Sequence, residues 1–251
     1  MNKLIPVVAV IVLIAVGAAY FIFNKSASPP VASTNPEITD KASTSKSFQN
    51  PKKSAHYESN TPEHSATLAA VPVNVVINFN FDLAKPSEIK IKKDGKDFGV
   101  AETVIDNNKL SMRRNIDPSA PDGIYAVNYN ACWPDGSCHD GNFQFAINRT
   151  TQSEYENLTG QSEVTVKMSQ IKFMPVNIKI TKGTTVTWVN DDNVEHYVNT
   201  DSHPAHTYYL AQNSKALKKG ESYSLTFDKQ GIYPYHCSAH ADTMSGAIVV
   251  E

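Results

Sequence analysis

Val73-Asn74-Val75-Val76-Ile77-Asn78-Phe79-Asn80-Phe81 sets Val73, Val75, Ile77, Phe79 and Phe81 against Asn74, Asn78 and Asn80. An alternation of period 2 sends the two sets to opposite faces of an extended chain and predicts a half-buried antiparallel strand. The period returns at Ile89 and Ile91, set among lysines before Asp94-Gly95, and again at Phe143, Phe145 and Ile147, with the run 124–129 after Asp122-Gly123 between them. Residues 148–160 are polar and read as a linker. Beyond it the count restarts with Val164, Val166 and Met168, Ile178 and Ile180, residues 184–189, Tyr223, Leu225 and Phe227, residues 232–237 and residues 247–250. Short strands at this spacing, separated by turn signals, predict an all-β chain, and two sets of them predict two β-sandwich domains. No helix is expected in either, beyond a short turn within residues 208–219.

Ahead of the strands, Lys3 is followed by residues 4–23, which carry no charged side chain. About 20 helical residues rise roughly 30 Å, enough to cross a hydrocarbon core. Residues 1–24 are therefore expected to be a single-pass, uncleaved anchor in the cell membrane. A signal peptide is the alternative, although the run is long for one and Ser26-Ala27-Ser28 before Pro29 makes an awkward cleavage site. Under either reading the body of the protein is exported, facing the periplasm or the cell exterior. Residues 25–54 are rich in Ser, Thr, Pro, Ala and Lys and predict a flexible tether. The expected domains are then 55–149 and 161–251, joined by a linker at 150–160.

Composition excludes several function classes. Among 251 residues, 23 Lys and Arg face 25 Asp and Glu, a net charge of −2, so no phosphate-tracking surface for a nucleic-acid partner is expected. With 11 glycines and no G-x-G-x-x-G or G-x-x-x-x-G-K, nucleotide chemistry is also disfavoured. What remains distinctive is an odd number of cysteines, 3, beside 8 histidines.

The sharpest signal is Tyr233-Pro234-Tyr235-His236-Cys237-Ser238-Ala239-His240-Ala241-Asp242-Thr243-Met244, with His196 just after the strand at 184–189. One thiolate, two imidazoles and a thioether are the ligands of a blue-copper electron-transfer site. A buried, incidental free cysteine is the bland alternative, weakened because an exported thiol needs protection. By strand alternation His236 points away from Cys237, which predicts a solvated side chain. His203-Pro204-Ala205-His206 has an H-x2-H spacing able to hold a metal, but on this polar loop the two are expected to be ordinary loop histidines. Cys132-Trp133-Pro134-Asp135-Gly136-Ser137-Cys138 places two cysteines around a turn. A disulfide is the default in an exported chain, and a metal site of both cysteines with His139 is the alternative.

Residues 161–251 resemble the plastocyanin, amicyanin and pseudoazurin type of cupredoxin. The likeness rests on Phe173-Met174-Pro175, the stretch 183–190 (GTTVTWVN), His196, the C-x2-H-x3-M loop and the closing strand Gly246-Ala247-Ile248-Val249-Val250. It implies one type 1 copper held by His196, Cys237, His240 and Met244. Two features differ from the pattern: the His240-to-Met244 spacing lies between the amicyanin-like and plastocyanin-like loops, and Tyr197 stands where relatives often carry a small hydrogen-bonding residue. A His directly before the cysteine ligand, as His236 is, resembles the bridge to a second copper in copper nitrite reductases.

Residues 55–149 resemble the CopC copper-resistance family through His56, Ser59-Asn60-Thr61-Pro62, Ser65-Ala66-Thr67-Leu68, Asp122-Gly123-Ile124-Tyr125 and Asp135-Gly136 with His139. The resemblance implies a second, Cu(II) site on His56, Asp135 and His139. Ser137 and Cys138 interrupt the motif, and His56 does not lead the chain, so a docking or spacer role stays open. The leading expectation is a membrane-tethered blue copper protein passing single electrons between redox protein partners. The runner-up is a copper-handling protein of homeostasis or resistance that delivers the metal to copper enzymes. An enzyme is not expected, because no H-x-H pairs for a multinuclear cluster occur.

Overall fold

The computed structural model describes residues 47–251, which fold as one compact unit. The expected anchor and most of the expected tether lie outside them. Among the described residues no helix is long and apolar enough to cross a membrane.

Four sheets form two pairs. In the first pair a four-stranded sheet runs Tyr57–Thr61, Asn74–Phe79, Ser111–Ile116, Gly99–Ile105, and a five-stranded sheet runs Thr67–Leu68, Cys138–Ile147, Gly123–Cys132, Ala84–Lys93, Lys96–Asp97. Their facing side chains share one core, with Val75, Ile77 and Met112 from one sheet and Ile89, Ile91, Tyr125, Val127, Phe143 and Phe145 from the other. In the second pair a four-stranded sheet runs Phe173–Met174, Glu163–Met168, Thr185–Asn190, Ser222–Thr226. Opposite it lies the order Glu156–Asn157, Asn177–Ile180, Ser245–Val250, Gly231–His236, Asn199–Thr200. Trp188 is fully buried here, against Tyr223, Phe227 and Tyr235. Two sheets packed over one alternating core make a β-sandwich.

Three stretches differ from the sequence reading. The strand Asn74–Phe79 is buried on both faces, not one. Its polar face is covered by residues 201–209 of the second sandwich, which take up part of the hydrogen bonding of Asn74 and Asn78. Asn78 Oδ1 accepts from Ser111 and Thr207 hydroxyls, each at 2.8 Å, and Asn74 Nδ2 donates to the Tyr208 carbonyl at 3.1 Å.

The stretch expected to be a linker at 150–160 is structured at its start. Asn148 caps a 3-10 helix, Arg149–Glu154, and Glu156–Asn157 then pairs in parallel with Asn177–Ile180. Gln152 donates to the Ala69 carbonyl at 2.9 Å, and Tyr155 packs on a small cluster of Ala69, Ala70, Ile232 and Val249 contributed by both sandwiches. The tether likewise ends before Ser54. Gln49 N–H donates to Gln144 Oε1, Lys52 bridges to Asn142, and Ser54 N–H donates to the Tyr129 hydroxyl.

The two sandwiches therefore meet through a continuous seam. Tyr208, 1% exposed, donates its hydroxyl proton to the Ile232 carbonyl at 2.7 Å and accepts from Val73 N–H at 2.9 Å. Arg113, paired with Asp106, donates to the Thr207 carbonyl at 3.0 Å. Gly231 sits at the crossing with φ +143°; a Cβ there would lie 2.9 Å from the Val71 carbonyl oxygen and 2.7 Å from Val73 Cγ1. Glycine is required at such a close approach of backbone to backbone.

Candidate metal centre

The second sandwich positions its donors by ending strands beside one another. Thr185–Asn190 ends at Asn190, fully buried, whose Nδ2 donates to the carbonyls of Val194 and Leu217, each at 2.8 Å. Its Oδ1 accepts Asp192 N–H at 2.8 Å, so this one amide shapes the loop before His196. His196 then pairs by backbone hydrogen bonds in both directions with Leu217. From the other side, Gly231–His236 leads into Cys237, a 3-10 turn at Ser238–His240, and Met244. Met244 N–H donates to the His240 carbonyl and Cys237 N–H to the Met244 carbonyl, both at 2.9 Å, closing the loop on itself.

The result brings all four sequence-predicted residues of this site to one end of the sandwich. Cys237 Sγ lies 3.5 Å from His196 Nδ1 and 3.5 Å from His240 Nδ1. His196 and Cys237 are fully buried, Met244 is 1% exposed, and His240 is half-buried at the rim. These converging sulfur and nitrogen atoms span what a single first-row ion can bridge, and the soft thiolate with borderline imidazoles favours copper.

Two supports were not foreseen. Asp192 Oδ2 lies 2.9 Å from His196 Nε2, which leaves Nδ1 as the free donor toward the cysteine. Asp192 is itself held by Ile171 and Gln170 N–H groups, and the Ile171 N–H foremost, with His196, keeps its carboxyl below the usual range. The second is the Tyr197 backbone N–H, which donates to Cys237 Sγ at 3.3 Å. Because the amide makes this contact, the tyrosine side chain does not disturb it.

Sequence comparison bears on the same residues. The family described as copper binding proteins, plastocyanin/azurin family, matches residues 160–251, and a CopC domain matches residues 57–148. Plastocyanin from Scenedesmus fuscus is 36% identical over 36% of this chain and 100% of its own length. The chain belongs to the plastocyanin/azurin family. Amicyanin from Paracoccus denitrificans is 33% identical over 35% of this chain, which spans 65% of that protein. A solved purple cupredoxin from Nitrosopumilus maritimus matches with 28% identity and a TM-score of 0.31, over 35% of this chain and 99% of that one.

In this plastocyanin/azurin relative the CopC domain carries the remaining predicted residues. Cys132 and Cys138 form a disulfide, which leaves Cys237 as the one free cysteine among the described residues. His56 stacks on Phe81 and, like His139, faces the Trp133 ring, while His56 Nδ1 lies 3.1 Å from Asn80 Oδ1. Asp135 turns to Ser137, accepting its hydroxyl at 2.7 Å and its N–H at 2.9 Å, and these bonds hold its carboxyl below the usual range. His56, Asp135 and His139 are not among the described trios whose donor atoms all fall within 4.8 Å of one another.

One such trio is His196, Cys237 and His240; the other is His203, His206 and His236. The expectation of a solvated His236 is overturned, and His203 and His206, expected to be ordinary loop histidines, lie against it. His236 does point away from Cys237, but its face of the strand is roofed by residues 201–209, leaving it 4% exposed. Its Nε2 lies 3.1 Å from His206 Nε2 and its Nδ1 lies 3.1 Å from Asp201 Oδ1. Burial, with His236 and His203 alongside, pushes the His206 imidazole down to about 4.

Proposed function

We propose that the chain is an exported type 1 copper protein, tethered to the membrane by residues 4–23, that passes single electrons between redox protein partners. His196, Cys237 and His240 hold the copper in this reading, and Met244 supplies the weak fourth ligand. The observation that carries it is the approach of Cys237 Sγ to two imidazole nitrogens, 3.5 Å from each, in a cluster that also buries Met244. Bound copper supplies a one-electron couple at this position. The chain's own groups keep the donor set fixed: Asp192 sets the His196 tautomer, Asn190 the loop, and Tyr197 N–H the sulfur. Donors fixed in this way have little to reorganise when charge changes. His240, half-buried at the rim, is the side chain through which an electron reaches a partner. Exposed Ile171, Met174, Val176 and Val194 lie on adjoining segments and give that partner an apolar contact. The disulfide of the first sandwich supports export to an oxidising compartment.

The test is addition of Cu(II) to the full chain. An intense blue colour is expected from the wild type and none from Cys237→Ser; a colourless wild type or a blue variant would falsify the reading.

The CopC match at 57–148 favours a second reading, copper capture and delivery. Passage of the metal to a copper-free acceptor, with slow electron exchange, would favour delivery over electron transfer.

A further inference from the structure

The donor set of the proposed copper centre does not use His203, His206 or His236. His236 and Cys237 are consecutive at the end of Gly231–His236, so their side chains leave opposite faces of the chain. On the His236 face, residues 201–209 bring two more imidazoles over it. Ring centroids are separated by 5.4 Å for His203–His206, 5.3 Å for His203–His236 and 5.1 Å for His206–His236. One donor atom from each ring falls within 4.8 Å of the others. The 3.1 Å between His206 Nε2 and His236 Nε2 is the span of two nitrogens on one ion with bonds of about 2.0–2.1 Å.

The outer atoms are arranged as at a metal site. Asp201 Oδ1 faces His236 Nδ1, fixing the proton there and presenting Nε2 to the cluster. The same carboxylate-backed histidine occurs at Asp192 and His196, in a different loop. Ser238 Oγ, 3.1 Å from His206 Nε2, donates its own proton to Asn199 Oδ1 and leaves a lone pair toward the cluster. Asn213 holds the His206 carbonyl at 3.0 Å, which fixes the backbone that aims this ring.

We propose that His203, His206 and His236 form a second site, for a divalent transition-metal ion of the copper or zinc class. Three imidazoles leave a position open on a four-coordinate ion, and the exposed ring of His203 puts that opening toward solvent. A small exchangeable ligand, water or a simple anion, is the chemistry that fits it. Of the two ions, three neutral nitrogen donors bind Cu(II) more tightly. The ion would also tie residues 201–209 to the strand Gly231–His236, and so brace the segment that carries Ser202, Thr207 and Tyr208 into the seam with the first sandwich.

The competing arrangement is a metal-free hydrogen bond between His206 and His236, and counting ions separates the two. The full chain carrying His56→Ala and His139→Ala, which removes those imidazoles from the first sandwich, is loaded with one equivalent of Cu(II). It is then titrated with Cu(II) or Zn(II), freed of unbound ion by gel filtration, and analysed for metal. Two ions per chain are expected. Adding His203→Ala or His206→Ala should bring the count to one while the blue colour stays. With Cu(II) in both sites, electron paramagnetic resonance should show a second signal of ordinary, colourless copper that vanishes in the same variants. His203→Ala alters an exposed side chain, so it remains informative if His206→Ala fails to fold. A count of one before the loop histidines are changed, or a count of two after, overturns the second site. Cys237→Ser separates this proposal from the first: it should abolish the blue colour and leave the His203-dependent ion in place.

Discussion

Asp192 shows what a single side chain contributes when it does not touch the metal. Its carboxylate orients His196, and its own position depends on N–H groups of Gln170 and Ile171, about 20 residues earlier in the chain. Asp192→Ala should lower copper affinity about 10–100-fold, as loss of such outer partners does, with the blue band retained. A competition titration against a chelator would read it, and an unchanged affinity would remove Asp192 from the site. Tyr197→Ala, by contrast, should leave the blue band unchanged, since only the backbone amide reaches the sulfur. The cluster of one cysteine, two histidines and a methionine stood out in the sequence by residue type, and the resemblance to cupredoxins named its members. Asp192 was not legible, because in Asp191-Asp192-Asn193 it reads as one more turn residue until the bend at Gln170 and Ile171 supplies its partners. His236 was misjudged for a related reason: alternation gives a side chain's direction, not what another loop lays over it.

Element-scale reading succeeded where one face of a strand meets water. Ala84–Lys93 buries Ile89 and Ile91 and exposes Lys90, as its alternation predicts. It failed at Asn74–Phe79, where asparagines that resemble a wet face are paired with residues of the second sandwich. The hairpin end at Lys96–Asp97 is pinned by Asp97, which accepts N–H groups from Ile91 and Gly99 and pairs with Arg114. Partial burial raises its pKa, but Gly99 N–H, Arg114 and Ile91 N–H outweigh that and hold it below the ordinary value of 3.8. A carboxyl lowered by folding stabilises the fold fully above its unfolded value and loses that contribution as pH falls through the folded one. Asp97→Asn should therefore flatten the acid end of the stability curve below about pH 4, measured by denaturant unfolding across pH. Gly231→Ala places a Cβ against the Val71 carbonyl at positive φ and should cost about 1–3 kcal/mol, read from the same kind of titration.

For the whole molecule, the seam predicts that the two sandwiches unfold together. Tyr208→Phe removes a hydroxyl that serves Val73 N–H and the Ile232 carbonyl at once, and leaving those buried groups unpaired should cost about 1–3 kcal/mol. Calorimetry of the wild type should give one transition, and Tyr208→Ala should split it in two; a split wild-type transition would show the seam to be weak. Two domains were legible in the sequence because each has its own alternating core. The seam was not, because it consists of scattered polar residues and one tyrosine with no periodicity to betray them.

Modularity is the property this seam takes away. Sandwich domains joined by a loose linker can be exchanged by recombination without consulting each other. Here Asn74, Asn78 and Arg113 of the first domain serve the carbonyls and hydroxyls of residues 202–208 in the second, in the segment that follows His196 and holds two of the three clustered histidines. A graft of either half into another protein would have to carry the other half's matching face with it, so the two domains are expected to have been inherited and to drift as a pair.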